Sequence, residues 1–482
     1  MSRRPAPQPV RVTTAGATVT VSPAGPLLGD LRVGRLELDC GRGPGLVGVN
    51  RPLFLRVPTA GGGDDAVAWA GLTSVVVGLH KANGVPVTVV GSESISFAPA
   101  GGPPRPLDPA VVALPARARR ALVRYGDAVD PLDLAAQLVA AYGGVNVVAL
   151  VRSRRERAAL LSRVNASAAA GAVSVCTLGR SGLAGLERAG LVLVLDALHA
   201  TWADPLTAQP AAPVAAVGLM DRLGGLPAAA AVVGFLPLGR PRSPFELARA
   251  WQLYGPDELV VPAHGVVGRP VEVAAHRVDL GRRVGEHADA LAVKKALWRD
   301  PVRNRRLAAL ARAVAAGDAA ALAADFPGTA VGAAATPRSV LVLCEGLDQA
   351  AAVSKRLPGW RVVAGTGEAG TAPIDVAAGG ANGLIATALG VQKTCGGDFD
   401  VVVRADPGRG PPPLPPHWTH GRTLRPLLVV DADDAGHPLA RRWSRQRRGA
   451  DLAAGWPAAG TDPDLFAWHR FRALVLNRGA SS

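Results

Sequence analysis

Residues 191–199 read Leu191-Val192-Leu193-Val194-Leu195-Asp196-Ala197-Leu198-His199. Five branched apolar residues in a row leave no solvent face, so the run suits a strand buried on both sides, as in a parallel sheet covered by helices. Asp196, at its C-terminal end, stands where nucleotide-driven α/β proteins hold magnesium and activate water. Ala197 beside it can neither orient nor deprotonate a water. The stretch therefore carries half of a catalytic pattern, and the flanking sequence must show which other halves survive.

Outward from this strand, apolar runs alternate with helical periodicity. Ala121–Tyr125, Val145–Val151, Val173–Leu178 and Val214–Leu219 read as further strands, with helices over Leu132–Tyr142 and Arg154–Val164. Such alternation predicts a parallel, helix-covered sheet. A charged helical connector follows at Ala288–Ala316, and the alternation resumes with strands at Ser339–Cys344, Arg361–Ala364, Leu384–Thr387, Val401–Ala405 and Leu427–Asp431. Before all this, residues 10 to about 105 are short β segments broken by Gly and Pro, with one helical stretch near Val67–Asn83. The expected fold is α/β: two tandem parallel-sheet domains behind a small β-rich N-terminal domain. The divisions are 1–105, 106–265, a connector at 266–337, 338–446, and a C-terminal tail at 447–482 with one helix, Asp464–Leu476.

Composition narrows the class. A chain of 482 residues with 49% hydrophobic residues is too long for one core. Its longest uncharged stretches are interrupted by proline, so no membrane segment is expected, and Arg3-Arg4 is not followed by an apolar core; the expected compartment is the cytoplasm. Cys40, Cys176, Cys344 and Cys395 are far apart, so neither a disulfide framework nor a metal site is expected. Net charge is +15, and only five of the 53 basic residues are lysine. Guanidinium groups pair bidentately with phosphate, so a nucleic-acid partner is expected, although arginine inflation in a GC-rich genome accounts for such a balance equally well.

Several segments, in order, resemble superfamily 2 helicases, the DEAD/DEAH-type motors with two RecA-like domains, especially the phage-type and repair-type DNA members. Asp196-Ala197-Leu198-His199 is similar to the DEAH motif, with His199 in its fourth position. Val148–Val151 followed by Arg152-Ser153-Arg154-Arg155-Glu156-Arg157 resembles the strand and helix start that contact the nucleic-acid backbone, and Val175-Cys176-Thr177 and Ile385-Ala386-Thr387 resemble later backbone-binding motifs. Lys294-Lys295-Ala296-Leu297 through Asp300–Arg305 is similar to the helix bridging the two motor domains. His420-Gly421-Arg422-Thr423-Leu424-Arg425 matches the Gly-Arg-x-x-Arg core of the sixth motif, whose arginines in active relatives reach the γ-phosphate. The resemblance implies RecA-like domains, nucleic-acid contacts at Arg152, Arg154, Arg155, Thr177 and Thr387, and a nucleotide-site remnant at Gly126, Asp196, Gly421, Arg422 and Arg425.

The departures point the other way. The loop after the first strand is Gly126-Asp127-Ala128-Val129-Asp130-Pro131, with no Gly-Lys-Ser/Thr; Pro131 removes an amide donor, and Asp127 and Asp130 repel phosphate. The third motif reads Gly218-Leu219-Met220-Asp221 instead of Thr/Ser-Ala-Thr. The expectation is a helicase-like protein that binds nucleic acid, DNA first, without hydrolysing ATP and without a cofactor, serving as scaffold or partner of an active helicase, nuclease or other replication or repair protein. An active ATP- and Mg-dependent helicase with a divergent loop, a two-domain glycosyltransferase-like enzyme and a purely structural subunit are the alternatives. Acidic strand ends commonly cap helices, so with Ala197 beside it Asp196 is expected as a structural anchor ahead of a catalytic group.

Overall fold

The strand at Leu191–Val194 lies inside a six-stranded sheet in the computed structural model, with all four of its residues buried. The structure describes residues 8–15, 18–39, 45–59, 63–91, 109–165, 173–177, 186–197, 230–239, 244–263, 267–278, 280, 285, 288–327, 331–332, 336–363, 374–375, 383–392, 394–395, 399–408, 410, 412, 414, 420–421 and 426–476.

Among the described residues the chain opens with seven strands: β1 (Val10–Ala15), β2 (Thr18–Ser22), β3 (Arg32–Asp39), β4 (Gly45–Pro52), β5 (Phe54–Pro58), β6 (Asp64–Trp69) and β7 (Val87–Val90). They form a sheet of order β5-β6-β2-β1-β7 and a separate β3–β4 hairpin. Alternate residues Val10, Val12, Val19 and Val21 are buried, as a sheet with one covered face requires. Helix α1 (Thr73–Ala82) begins later than the sequence pattern suggests, because residues through Trp69 pair with β2. Strand pairing outweighs local helical periodicity here.

Next come α2 (Pro109–Arg117), β8 (Arg120–Tyr125), α3 (Pro131–Ala141), β9 (Val147–Val151), α4 (Arg154–Asn165), β10 (Val173–Thr177), β11 (Leu191–Val194), β12 (Ala231–Pro237), α5 (Pro244–Tyr254) and β13 (Asp257–Val261). The sheet order is β10-β9-β11-β12-β8-β13, every neighbouring pair parallel. Both faces are buried. Leu122, Val148, Val192 and Val232 join one core with the N-terminal sheet, while Val123, Ala149, Leu193 and Val233 pack against α2 and α3 on the other face. The β-rich N-terminal segment thus shares its core with the first parallel sheet. Strand β12 sits between β8 and β11; the expected strand Val214–Leu219 and the residues 218–221 lie outside the described residues.

A second all-parallel sheet is built from β14 (Val271–Val278), β15 (Val340–Cys344), β16 (Arg361–Val363), β17 (Gly383–Thr387), β18 (Val401–Arg404) and β19 (Leu427–Asp434), in the order β14-β19-β18-β15-β17-β16. Helices α6 (Ala290–Arg299), α7 (Pro301–Ala316), α8 (Ala319–Asp325), α9 (Leu347–Ser354), α10 (Ala388–Gln392) and α11 (Pro438–Ala453) belong with it. Asp300 ends α6 and caps α7, its Oδ1 accepting from the Arg303 amide at 2.8 Å. Pro301 then occupies the first helical position, where no amide is needed.

The α/β architecture is the expected one, two tandem parallel-sheet domains with a small N-terminal β sheet. The chain divides into two compact units, Met1–Val267 with Asp462–Ser482, and Gly268–Thr461. Helix α12 (Pro463–Phe471) therefore returns to the first unit. Phe471 is fully buried, its ring 5.7 Å from that of Trp251, and Lys81 on α1 pairs with Asp462 and Asp464 at 2.7 and 2.9 Å. Gly78 is required where α1 crosses this segment, since any Cβ there would collide with the Asp464 carbonyl. Among the described residues no helix is long and apolar enough to cross a membrane.

Candidate functional site

In a parallel sheet the loops that can hold ligand lie at the C-terminal edge of the strands. At that edge of the first sheet the register places Thr177, the last residue of β10, opposite Val151, the last of β9; Arg152 follows directly. Gly126 follows β8, and Asp196 lies two residues past β11. Four residues singled out from sequence, Gly126, Arg152, Thr177 and Asp196, thus share one edge. A cleft of about 410 Å3 opens there, lined by Tyr125, Asp130, Arg152, Glu156, Asp196 and Leu236 among others.

The loop from β8 to α3 is a tight turn. The Gly126 amide donates to the Val261 carbonyl at 2.9 Å and the Val129 amide to the Gly126 carbonyl at 3.0 Å, so neither amide is available to an anion. Position 126 must be glycine, because a Cβ would run into the Pro262 carbonyl. At the start of α3, Asp130 is the N-cap: its Oδ1 accepts from the Leu132 amide at 2.9 Å, and its Oδ2 accepts from Arg163 Nη2 at 2.6 Å. Arg163 also pairs with Asp133 at 2.8 Å. A helix N-terminus attracts an anion through its free amides and its dipole. Here the chain supplies that anion itself.

The electrostatics of the cleft follow. Among the described residues three carboxylates, Asp130, Glu156 and Asp196, line it with one guanidinium, Arg152, and Arg163 pairs with Asp130 beside it. Burial pushes the Tyr125 phenol up, and Asp196, Asp130 and Glu156 add to the rise while Arg152 opposes it. Tyr254 donates to the Ala197 carbonyl at 3.1 Å, and burial, reinforced by Asp196, holds its phenol well above the usual range. Such a field disfavours a triphosphate. Among the described residues no group of three or more His, Cys, Asp or Glu could hold a metal ion.

The arginines at the start of α4 have a local context that the sequence argument lacked. Ser153 Oγ accepts from the Glu156 amide at 3.1 Å, and Glu156 accepts from the Arg152 amide at 2.8 Å. This is a capping box shifted by one residue, visible in sequence as Ser-x-x-Glu. It places an internal carboxylate at the helix start, which weakens the helix-dipole argument for an external anion. Arg152 pairs loosely with Glu156 at 3.7 Å, and Arg154 and Arg155 are exposed. Glu156 and Tyr125, which line the cleft, and Arg163, which pairs with Asp130, were not singled out from sequence. The Ser-x-x-Glu spacing could have revealed Glu156; nothing local marks the other two.

In the second unit, Thr387 ends β17 and is buried, its Oγ1 accepting from the Gly390 amide at 3.1 Å, so it anchors the start of α10. The backbone of Gly421 lies in a short strand, His420–Gly421. His199, Arg422 and Arg425 lie outside the described residues. The same unit also buries an ionic network. Arg303 on α7 donates to Asp434 at 2.6 and 3.1 Å, and Arg447 on α11 donates to Asp431 at 2.9 and 3.0 Å. Arg404 reaches Asp406 at 3.3 Å and the Gly408 carbonyl at 3.1 Å. Asp451, buried on α11, is pushed up to about 7 by burial and by Asp431, against Arg404 and Arg447.

No family model matches the chain. No curated protein matches it either. Solved structures similar to it include a DEAD box protein from Methanococcus jannaschii, 13% identical over 73% of this chain and 92% of that one with a TM-score of 0.24. A hypothetical ATP-dependent RNA helicase from Sulfolobus tokodaii is 11% identical over 74% and 95%, also with a TM-score of 0.24. Escherichia coli HrpB, a DEAH/RHA helicase, is 13% identical over 75% and 49% with a TM-score of 0.23. At these values the likeness carries no argument about activity.

Proposed function

We propose that this protein binds nucleic acid, DNA first, through the phosphate backbone on a helicase-type pair of α/β units, and that it does not hydrolyse nucleotide. The observation that carries the second half is Asp130: the helix N-terminus available to a β- or γ-phosphate is capped by this carboxylate, which is itself paired with Arg163. A bound triphosphate would have to displace that pair, with no lysine in the loop to replace it. Ala197 leaves no carboxylate beside Asp196 to orient water. The first half is supported by the +15 charge, by the exposed arginines 152, 154 and 155, and by the order of the helicase-like segments. The protein then acts as a scaffold or partner of an active DNA-processing enzyme.

The test is steady-state nucleotide turnover with and without single- and double-stranded DNA, beside calorimetric titration with ATP and Mg2+. Neither heat of binding nor turnover is expected. DNA-stimulated hydrolysis that disappears in Asp196→Asn would overturn the proposal in favour of an active motor.

A further inference from the structure

Helix α11 carries five arginines in eight residues, and the structure splits them between two jobs. Arg447 points inward and is held by Asp431, the Ala432 carbonyl and Ser444, beside buried Ala440 and Trp443. Arg441, Arg442, Arg445 and Arg448 are exposed. At 100° per residue they fall within an arc of roughly 120°, so they form one stripe. Arg448 makes a half-exposed pair with Asp433 at 3.5 Å; among the described residues no carboxylate pairs with Arg441, Arg442 or Arg445. The helix has a single acidic residue, Asp451, and that one is buried.

Like charges three and four residues apart on a helix repel, and nothing on this helix relieves them. Folding alone gives no reason for the stripe, and the inward anchoring by Arg447 fixes its orientation in advance. Arg441 to Arg448 spans about 10.5 Å along the axis at 1.5 Å per residue. Along a duplex axis each strand presents one phosphate for roughly every 3.4 Å, so the stripe spans about three phosphate intervals. We infer that the exposed face of α11 is a docking surface for a nucleic-acid phosphate backbone, separate from the arginines of α4. The inference rests on the nucleic-acid reading above and adds a second contact to it. Arginine in place of lysine suits phosphate, because its planar fork engages two oxygens at once.

The test compares two triple variants of equal charge change in the full chain. One is Arg441→Gln, Arg442→Gln and Arg445→Gln on α11; the other is Arg305→Gln, Arg306→Gln and Arg312→Gln on the exposed side of α7. The probe is a fluorescein-labelled 20-nucleotide single strand and its duplex, read by anisotropy from low to moderate salt. The α11 variant is expected to bind at least about tenfold more weakly, with the slope of log affinity against log salt reduced by roughly 2 to 3. The α7 variant should change by less than about threefold. A matched Arg→Lys triple on α11 should keep most of the affinity, and its thermal unfolding, with that of the Gln triple, checks the fold. Equal losses in the two Gln triples would overturn the docking surface while leaving nucleic-acid binding intact. Absence of binding by the parent chain would overturn both. A loss confined to anionic vesicles, with DNA binding unchanged, would replace the inference with a membrane contact.

Discussion

Asp130 satisfies a helix start and neutralises an arginine, so its two oxygens are separable by mutation. Asp130→Ala is expected to cost about 1 to 2 kcal/mol of stability through the lost cap, whereas Asp130→Asn, which still caps, should cost less than half of that; urea unfolding followed by circular dichroism decides it. Asp451 offers a pH experiment. Its folded-state value of about 7 lies above the ordinary 3.8, so between those values the folded chain holds a proton that the unfolded chain has released. Stability contributed by that proton is complete below about pH 4 and is lost as pH rises through 7, opposite to the usual carboxylate pattern. Asp451→Asn should therefore leave stability at pH 4 nearly unchanged and raise it at pH 8, by an amount on the order of a few kcal/mol. An equal or lower melting temperature for the variant at pH 8 would contradict this. None of this was legible in sequence, because arginines 303, 404 and 447 and their carboxylates read as surface residues until a sheet brings them together.

At the level of elements, local pattern served best where burial is two-sided. Strands β9, β11, β15 and β18 are near-continuous apolar runs, and helices α3 and α4 begin within one residue of their expected starts. Strand β12 was missed because Ala231–Pro237 sits in an uncharged stretch rich in Ala, Gly and Pro, where Gly234 and Pro237 within the run argue locally against a strand. Helix α11 runs across residue 446, where the tail was expected to begin, since its buried face mixes Ala440 and Trp443 with Ser444, Arg447 and Asp451 and so lacks an apolar period. Helix α12 was expected as a helix, but its partner α1 lies almost four hundred residues earlier, beyond any local signal. Phe471→Ala should cost about 3 to 5 kcal/mol, as a fully buried ring emptied into a packed core. Chemical denaturation measures it, and a loss below about 1 kcal/mol would mean that α12 docks only loosely.

For the whole molecule the +15 charge predicts that affinity for DNA falls steeply with salt, by roughly a thousandfold between 50 and 200 mM if about six phosphates are engaged. Anisotropy titrations across that range are the check; salt-insensitive binding would show that contacts other than phosphate dominate. The tandem α/β plan was legible because period and strand spacing repeat along the chain. The closure of the first unit by residues 462–476 was not, and it has a consequence for biosynthesis. Residues 268–461 form an insertion within the first unit, so a nascent chain emerging from the ribosome finishes its second unit before the first has received its last helix. Until then the face of α1 that receives α12, with the bed of Phe471 beside Trp251, stays uncovered, and the interval is set by the time needed to translate some two hundred residues, on the order of 10 to 40 seconds at bacterial or eukaryotic speeds. Chaperone dependence during synthesis should accordingly concentrate on the half of the protein that is made first.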